Sequence, residues 1–210
     1  MTTKIGLVSD VHATPDPLRE ALSIFKQEQV DLSVCAGDIA GYGNRLDETV
    51  KLLIEHQCRV ISGNHDLWYA ESSTGSREQW IADYFLGLPA TLEFTFENKS
   101  IYVVHASPPD SNMKGIKLLD IDGEIIPDRK SKWTHTLEAY QYDVLVIGHT
   151  HQVFAERLGN TLVINPGSTK FNHCCSILTL PELTVQTFPL SNKTPRMVWN
   201  WGQIERMPEE

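Results

Sequence analysis

Three short apolar runs, separated by helix-length amphipathic segments, fill the first 64 residues and constrain the fold more than any other feature. The runs are KIGLVSD (4–10), VDLSVCAGD (30–38) and CRVISGN (58–64). Between them lie PDPLREALSIFKQEQ (15–29), with Leu18, Leu22 and Phe25 on one helical face, and RLDETVKLLIEH (45–56). Parallel neighbours need crossover connections, so a β-α-β-α-β order predicts parallel strands covered by helices, an α/β layered fold. A helix over 76–88 is expected next, and TLEFTFENKSIYVVHA (91–106) reads as a hairpin around an Asn-Lys turn. Residues 107–135, rich in Pro, Asp, Gly and Lys, read as a long lid-like loop with little core. Four further strands are expected within 142–151, 161–168, 174–181 and 183–190.

The 210 residues fit one domain, read here as 1–190 with a C-terminal tail over 191–210 that has no clear period. No apolar run is long enough to span a membrane, and the N-terminus lacks the apolar core of a signal peptide, so a cytoplasmic location is expected. A formal net charge of −9 without any basic run argues against binding bulk nucleic acid. Cys35, Cys58, Cys174 and Cys175 form no C-x-x-C pair and are expected to be reduced thiols.

The apolar strands end in polar groups of one chemical kind. The first ends in Asp10-Val11-His12, the second in Gly37-Asp38, the third in Gly63-Asn64-His65-Asp66. The hairpin ends in His105, and LVIGHTHQVF (145–154) delivers His149 and His151. Ligands of α/β sheets sit at the carboxyl ends of strands, so these five ends converge on one rim. Singly, each has an ordinary explanation: an Asp can cap a helix, a Gly-Asp pair can turn the chain, a histidine can be a hydrogen-bonded polar group. Jointly they do not, because five of the eight histidines fall at these ends. Imidazole and carboxylate without thiolate suit manganese, iron or zinc. An extended D-x-H segment would aim Asp10 and His12 at one ion, and the same period-two geometry would pair His149 with His151. So many donors suit two ions rather than one.

SDVHA, AGDIAGYG, SGNHD, VHASP, GHTHQVF and NPGS, in this order, closely resemble the motifs of the calcineurin-like metallophosphoesterases, over roughly Lys4 to Leu190. The resemblance implies a four-layer αββα sandwich of two mixed β-sheets flanked by helices. It implies two divalent metal ions: Asp10, His12 and His151 on the first, Asn64, His105 and His149 on the second, and Asp38 bridging them. His65 would stand near the leaving group as general acid, with a small phosphorylated substrate hydrolysed by metal-activated hydroxide. Tyr42 stands where phosphoprotein phosphatases and diadenosine tetraphosphatases carry a phosphate-gripping arginine, Gly41 where the former carry an acid, and GNHD replaces their GNHE. The chain therefore resembles the smaller phosphodiesterase branch more. Arg45, or Lys114 and Lys117, could supply the missing cation. A nucleotide-polyphosphate hydrolase and a non-catalytic scaffold of the same fold stay open as alternatives.

Overall fold

The computed structural model describes residues 2–72 and 79–199. In the first sheet, β1 (Thr3–Val8), β2 (Leu32–Cys35) and β3 (Arg59–Val60) run parallel, joined by α1 (Pro15–Gln27) and α2 (Leu46–Glu55). In the second, β5 (Lys99–Val104), β6 (Val144–Val146) and β8 (Thr161–Pro166) are parallel, while β4 (Thr91–Phe96) and β7 (Val153–Leu158) close the two edges antiparallel. The chain then returns to the first sheet with β9 (Cys174–Leu180) and β10 (Thr184–Pro189), giving β10-β9-β1-β2-β3 beside β4-β5-β6-β8-β7. Both sheets are mixed and flanked by helices, the sandwich expected from the motifs.

Strand alternation builds the layers. Ile101 and Val103 of β5 join Ile5 and Leu7 of β1 in the core between the sheets, whereas Tyr102 and Val104 face the outer core. β6 divides likewise: Val144 and Val146 inward, Leu145 outward. On the other side, Leu18, Leu22 and Phe25 of α1 cover the first sheet with Leu53 of α2.

The structure adds a strand that was not anticipated, β7, and departs from the expected elements in three further places. The third strand stops at Val60, and a helix that was not anticipated, α3 (Asn64–Ser72), begins at Asn64. α3 buries Asn64, Asp66 and Ala70 and so carries no apolar stripe for periodicity to reveal. The helix expected over 76–88 is observed as α4 (Gln79–Leu86); positions 76–78 lie outside the described residues. Residues 107–135 are not a loop without core. Ile116, Leu118 and Leu119 are buried in the outer core, and α5 (Pro127–Leu137) follows. α5 buries only Leu137, so its sequence reads as polar throughout.

The chain beyond β10 is also packed as far as Trp199. Val198 bridges to Gln152, Val153 N–H donates to the Met197 carbonyl at 2.8 Å, and Arg196 N–H donates to the Asn172 carbonyl at 2.9 Å.

Candidate metal centre

The polar strand ends of both sheets meet on one rim. Asp10 and His12 follow β1, Asp38 follows β2, Asn64 and His65 open α3, His105 follows β5, and His149 and His151 follow β6. The extended geometry expected for the D-x-H and H-T-H segments is not what brings them there. Asp10, His12, Asp38, His149 and His151 all have φ between 49° and 64°, in the left-handed region that residues other than glycine rarely adopt. Such strain persists only where surrounding structure enforces it, and it concentrates at functional sites. Left-handed turns also separate His149 from His151, so the two imidazoles do not share one ligand group. His151 joins Asp10 and His12, while His149 joins Asp38 and His105.

Close backbone approach holds the two sheets' loops together. His149 N–H donates to both carboxylate oxygens of Asp10, at 3.2 and 3.0 Å. A Cβ on Gly148 would collide with Ser9 Oγ, so this contact requires glycine. Asp66 ties down a third loop, accepting N–H bonds from Ala40 at 2.8 Å and Gly63 at 2.9 Å. The second of these is the backward bond of a capping box, fixing the first turn of α3 under Asn64 and His65.

Backbone carbonyls set the histidine tautomers. His12 Nδ1 donates to the Ala40 carbonyl at 2.9 Å and His105 Nδ1 to the Ala36 carbonyl at 2.7 Å, leaving each Nε2 lone pair aimed inward. His12 Nε2 lies 3.1 Å from His151 Nε2, and His151 Nε2 lies 3.2 Å from Asp10 Oδ1. On the other side, His105 Nε2 is 3.4 Å from Asp38 Oδ1. Converging lone pairs and carboxylates repel one another unless a proton or a cation lies among them. The Asn64 amide fits either state. With Oδ1 inward it faces His105 Nε2 at 3.2 Å and His149 Nδ1 at 3.0 Å, an arrangement suited to a cation. Turned over, its NH2 would donate to both rings and to the Asn112 carbonyl at 3.1 Å.

Proton affinities show the same crowding. Burial pushes His12 down to about 4 against the pull of Asp10 and Asp38. Burial also opposes a proton on His105, yet the Asp38 carboxylate overrides it and raises the group to about 9. Asp10 is held below the usual carboxylate range: burial opposes this, and His151 prevails. A donor set of imidazoles, carboxylates and one amide oxygen, three of whose groups lie within 4.8 Å in each cluster, fits divalent manganese, iron or zinc.

Around these groups lies a cavity of about 270 Å³, lined by His65, Trp68, Met113, Lys117 and Trp199 among others. A larger one of about 470 Å³, between Thr134 and Thr161, holds none of the ligand-type residues. Tyr42 lies at the mouth of the smaller cavity, its ring edge-on to His12 at 4.7 Å between centroids. His65 is 5.1 Å from His12, and its ring also falls in a ligand-type group with His12 and Asp38. Arg45 does not line the cavity; it pairs with Asp16 at 2.6 Å and Glu48 at 2.7 Å in an exposed cluster. Of the two lysines, Lys117 lines the cavity and Lys114 does not. Sequence reasoning missed Trp68, which its i, i+3 spacing from His65 could have flagged, and Phe171, which follows the NPGS motif and stacks on His151 at 5.3 Å. Nothing in the sequence marked Trp199.

The pattern of the calcineurin-like phosphoesterase superfamily domain matches residues 3–180. The uncharacterized protein MJ0912 of Methanocaldococcus jannaschii is 27% identical over 78% of this chain and 68% of its own length. Phosphodiesterase MJ0936 of the same organism is 23% identical over 84% of this chain and 87% of its own. Among solved structures, a metallophosphoesterase from Sphaerobacter thermophilus superposes with a TM-score of 0.62 at 19% identity, covering 91% of this chain and 89% of that one. That likeness bears on the fold. Among the described residues, no helix is long and apolar enough to cross a membrane.

Proposed function

The chain belongs to the calcineurin-like phosphoesterase superfamily, and we propose that it is a binuclear, divalent-metal-dependent phosphodiesterase acting on a small phosphorylated substrate. Asp10, His12 and His151 would hold one ion; Asn64, His105 and His149 would hold the other; Asp38 would bridge them. The observation that carries this reading is the position of Asp38, which shares one ligand-type group with His12 and a second with His105 and His149. When bound, divalent ions supply an activated water and neutralise charge on phosphate oxygens.

The protein's own groups perform the remaining tasks. Asp38 accepts the His65 backbone N–H at 2.9 Å, which fixes His65 relative to the bridging carboxylate. His65 is only half-buried, at the cavity wall, where a protonated imidazole would donate to the departing alkoxide. Burial lowers its proton affinity, so protonation at neutral pH draws on the negative charge of bound phosphate. Tyr42, in place of a gripping arginine, offers a monoester dianion no second cation and favours the less charged diester.

Hydrolysis of bis(p-nitrophenyl) phosphate and of p-nitrophenyl phosphate, with Mn²⁺ and after chelation, tests the proposal. Metal-dependent turnover with the diester cleaved at least as well as the monoester is expected. Turnover indifferent to chelation would sink the metal reading, and a strong monoester preference would sink the diester assignment.

A further inference from the structure

Five rings form a continuous band along one side of the candidate centre. Trp68 meets His65 at 5.0 Å, His65 meets Tyr42 at 4.8 Å, Tyr42 meets Phe171 at 5.7 Å, and Phe171 stacks on Trp199 at 5.1 Å. The band touches the ligand-type residues through His12–Tyr42 and His151–Phe171. Its two ends, Trp68 and Trp199, line the same cavity, together with Met113 and the cation Lys117.

The exposure of this rim is costly in water. Tyr42 is 54% exposed, Met113 53% and Trp68 49%, whereas most large apolar side chains of the fold are buried. Burying apolar side chains is favourable, so three large ones held open around one concave polar site point to a ligand that covers them. The cavity volume, about 270 Å³, lies just below the range of about 300–1,000 Å³ common for drug-sized ligands, which suits one ring system rather than a long chain. Aromatic platforms favour flat π-systems over aliphatic groups because offset-stacked and edge-to-face contacts add quadrupole attraction to area burial, and the Met113 thioether adds a polarizable contact.

We infer that the group esterified to the substrate phosphate carries a flat aromatic ring, of nucleobase or aryl type, that seats against Trp68, Tyr42, Met113 and Trp199. This inference rests on the phosphodiesterase reading for the phosphate end only. The ring subsite is built from side chains that are not in the proposed ligand set.

Paired ligands isolate the ring. Binding of adenosine 5′-monophosphate against ribose 5-phosphate, and of phenylphosphonate against methylphosphonate, is measured by calorimetry on Mn²⁺-loaded protein and on its Trp68→Ala and Trp68→Phe variants. Base–aromatic stacking predicts a preference of roughly five- to a hundredfold for the ring-bearing member. That preference should collapse in Trp68→Ala and largely survive in Trp68→Phe, with the ringless ligands unaffected. Preference in the nucleotide pair assigns a nucleobase, and preference in the phosphonate pair alone assigns an aryl ester. Equal binding within both pairs would overturn the inference, as would a Trp68→Ala loss shared equally by ringed and ringless ligands. The metal reading fails separately: a ring preference that persists while ribose 5-phosphate binding ignores Mn²⁺ leaves the subsite standing and removes the metal.

Discussion

Trp199 N–H donates to the carbonyl of His151 at 3.0 Å, and Asn172 Nδ2 donates to the same oxygen, also at 3.0 Å. Asn172 further donates to the Arg196 carbonyl at 2.6 Å and accepts the Ser168 N–H at 2.8 Å. One buried amide thus joins the histidine loop, the loop after β8 and the chain beyond β10. Outer-shell partners of metal ligands typically contribute about 10–100-fold in affinity. Asn172→Ala should weaken the ion proposed for the His151 cluster by roughly that factor and leave the proposed His105 side near its original affinity, as read by competition titration with a chromogenic chelator.

Asp38 and His12 should differ in kind. Asp38→Asn removes the carboxylate common to both proposed clusters and is expected to weaken both ions, whereas His12→Ala should weaken one. Elemental analysis after reloading with Mn²⁺ checks this. Two equivalents are expected for the unmutated protein, about one for His12→Ala, and less than one for Asp38→Asn at the same free metal.

His65 separates acid catalysis from ligation. General acid assistance is worth about 10²–10⁴-fold, so His65→Asn should lose that factor toward an alkoxide leaving group and much less toward an activated phenolate. Both ions should remain. Loss of an ion in this variant would make His65 a ligand, which its grouping with His12 and Asp38 allows geometrically.

Asp143 gives the fold a defined acid sensitivity away from the centre. Its carboxylate accepts the Ser100 N–H at 2.9 Å and the Ser100 hydroxyl at 3.0 Å, and it pairs with Lys99 at 3.0 Å. These contacts, the Ser100 N–H foremost, hold it below its ordinary value of 3.8. The folded value is depressed, so the stabilisation is complete above the unfolded value and disappears as pH falls through the folded one. The difference in urea midpoint between the unmutated protein and Asp143→Asn should be widest above pH 5 and shrink below pH 4. A gap that stays constant with pH would show that the charge contributes nothing.

The sequence made the alternating half of the fold legible because its strands and helices carry one apolar face each. Leu18, Leu22 and Phe25 point inward as their spacing requires. α3 and α5 escaped for the same reason: Asn64, Asp66 and Ala70 in one, and Leu137 in the other, make no stripe. At the centre, residue types and order named seven candidate donors, and the fold brings all seven to one rim. How they meet was not legible. Period-two reasoning assumed extended chain, while the left-handed turns at Asp10, His12, His149 and His151 divide the histidine pair between two clusters. The aromatic rim was hidden because Trp199 reaches it through tertiary packing far from the motifs, while Phe171, just past NPGS, is no metal donor.

The proposed ligands are shared between the sheets: Asp10, His12, Asp38 and Asn64 come from the first, His105, His149 and His151 from the second. His12 and His151, which face each other, are 139 positions apart. A chain leaving the ribosome therefore presents the first four donors early and cannot complete either cluster until the GHTH segment has emerged and docked. Metal uptake at the proposed centre would then follow the docking of the two sheets rather than seed it. An ion captured there would report that both halves of the sandwich had been made and had found each other.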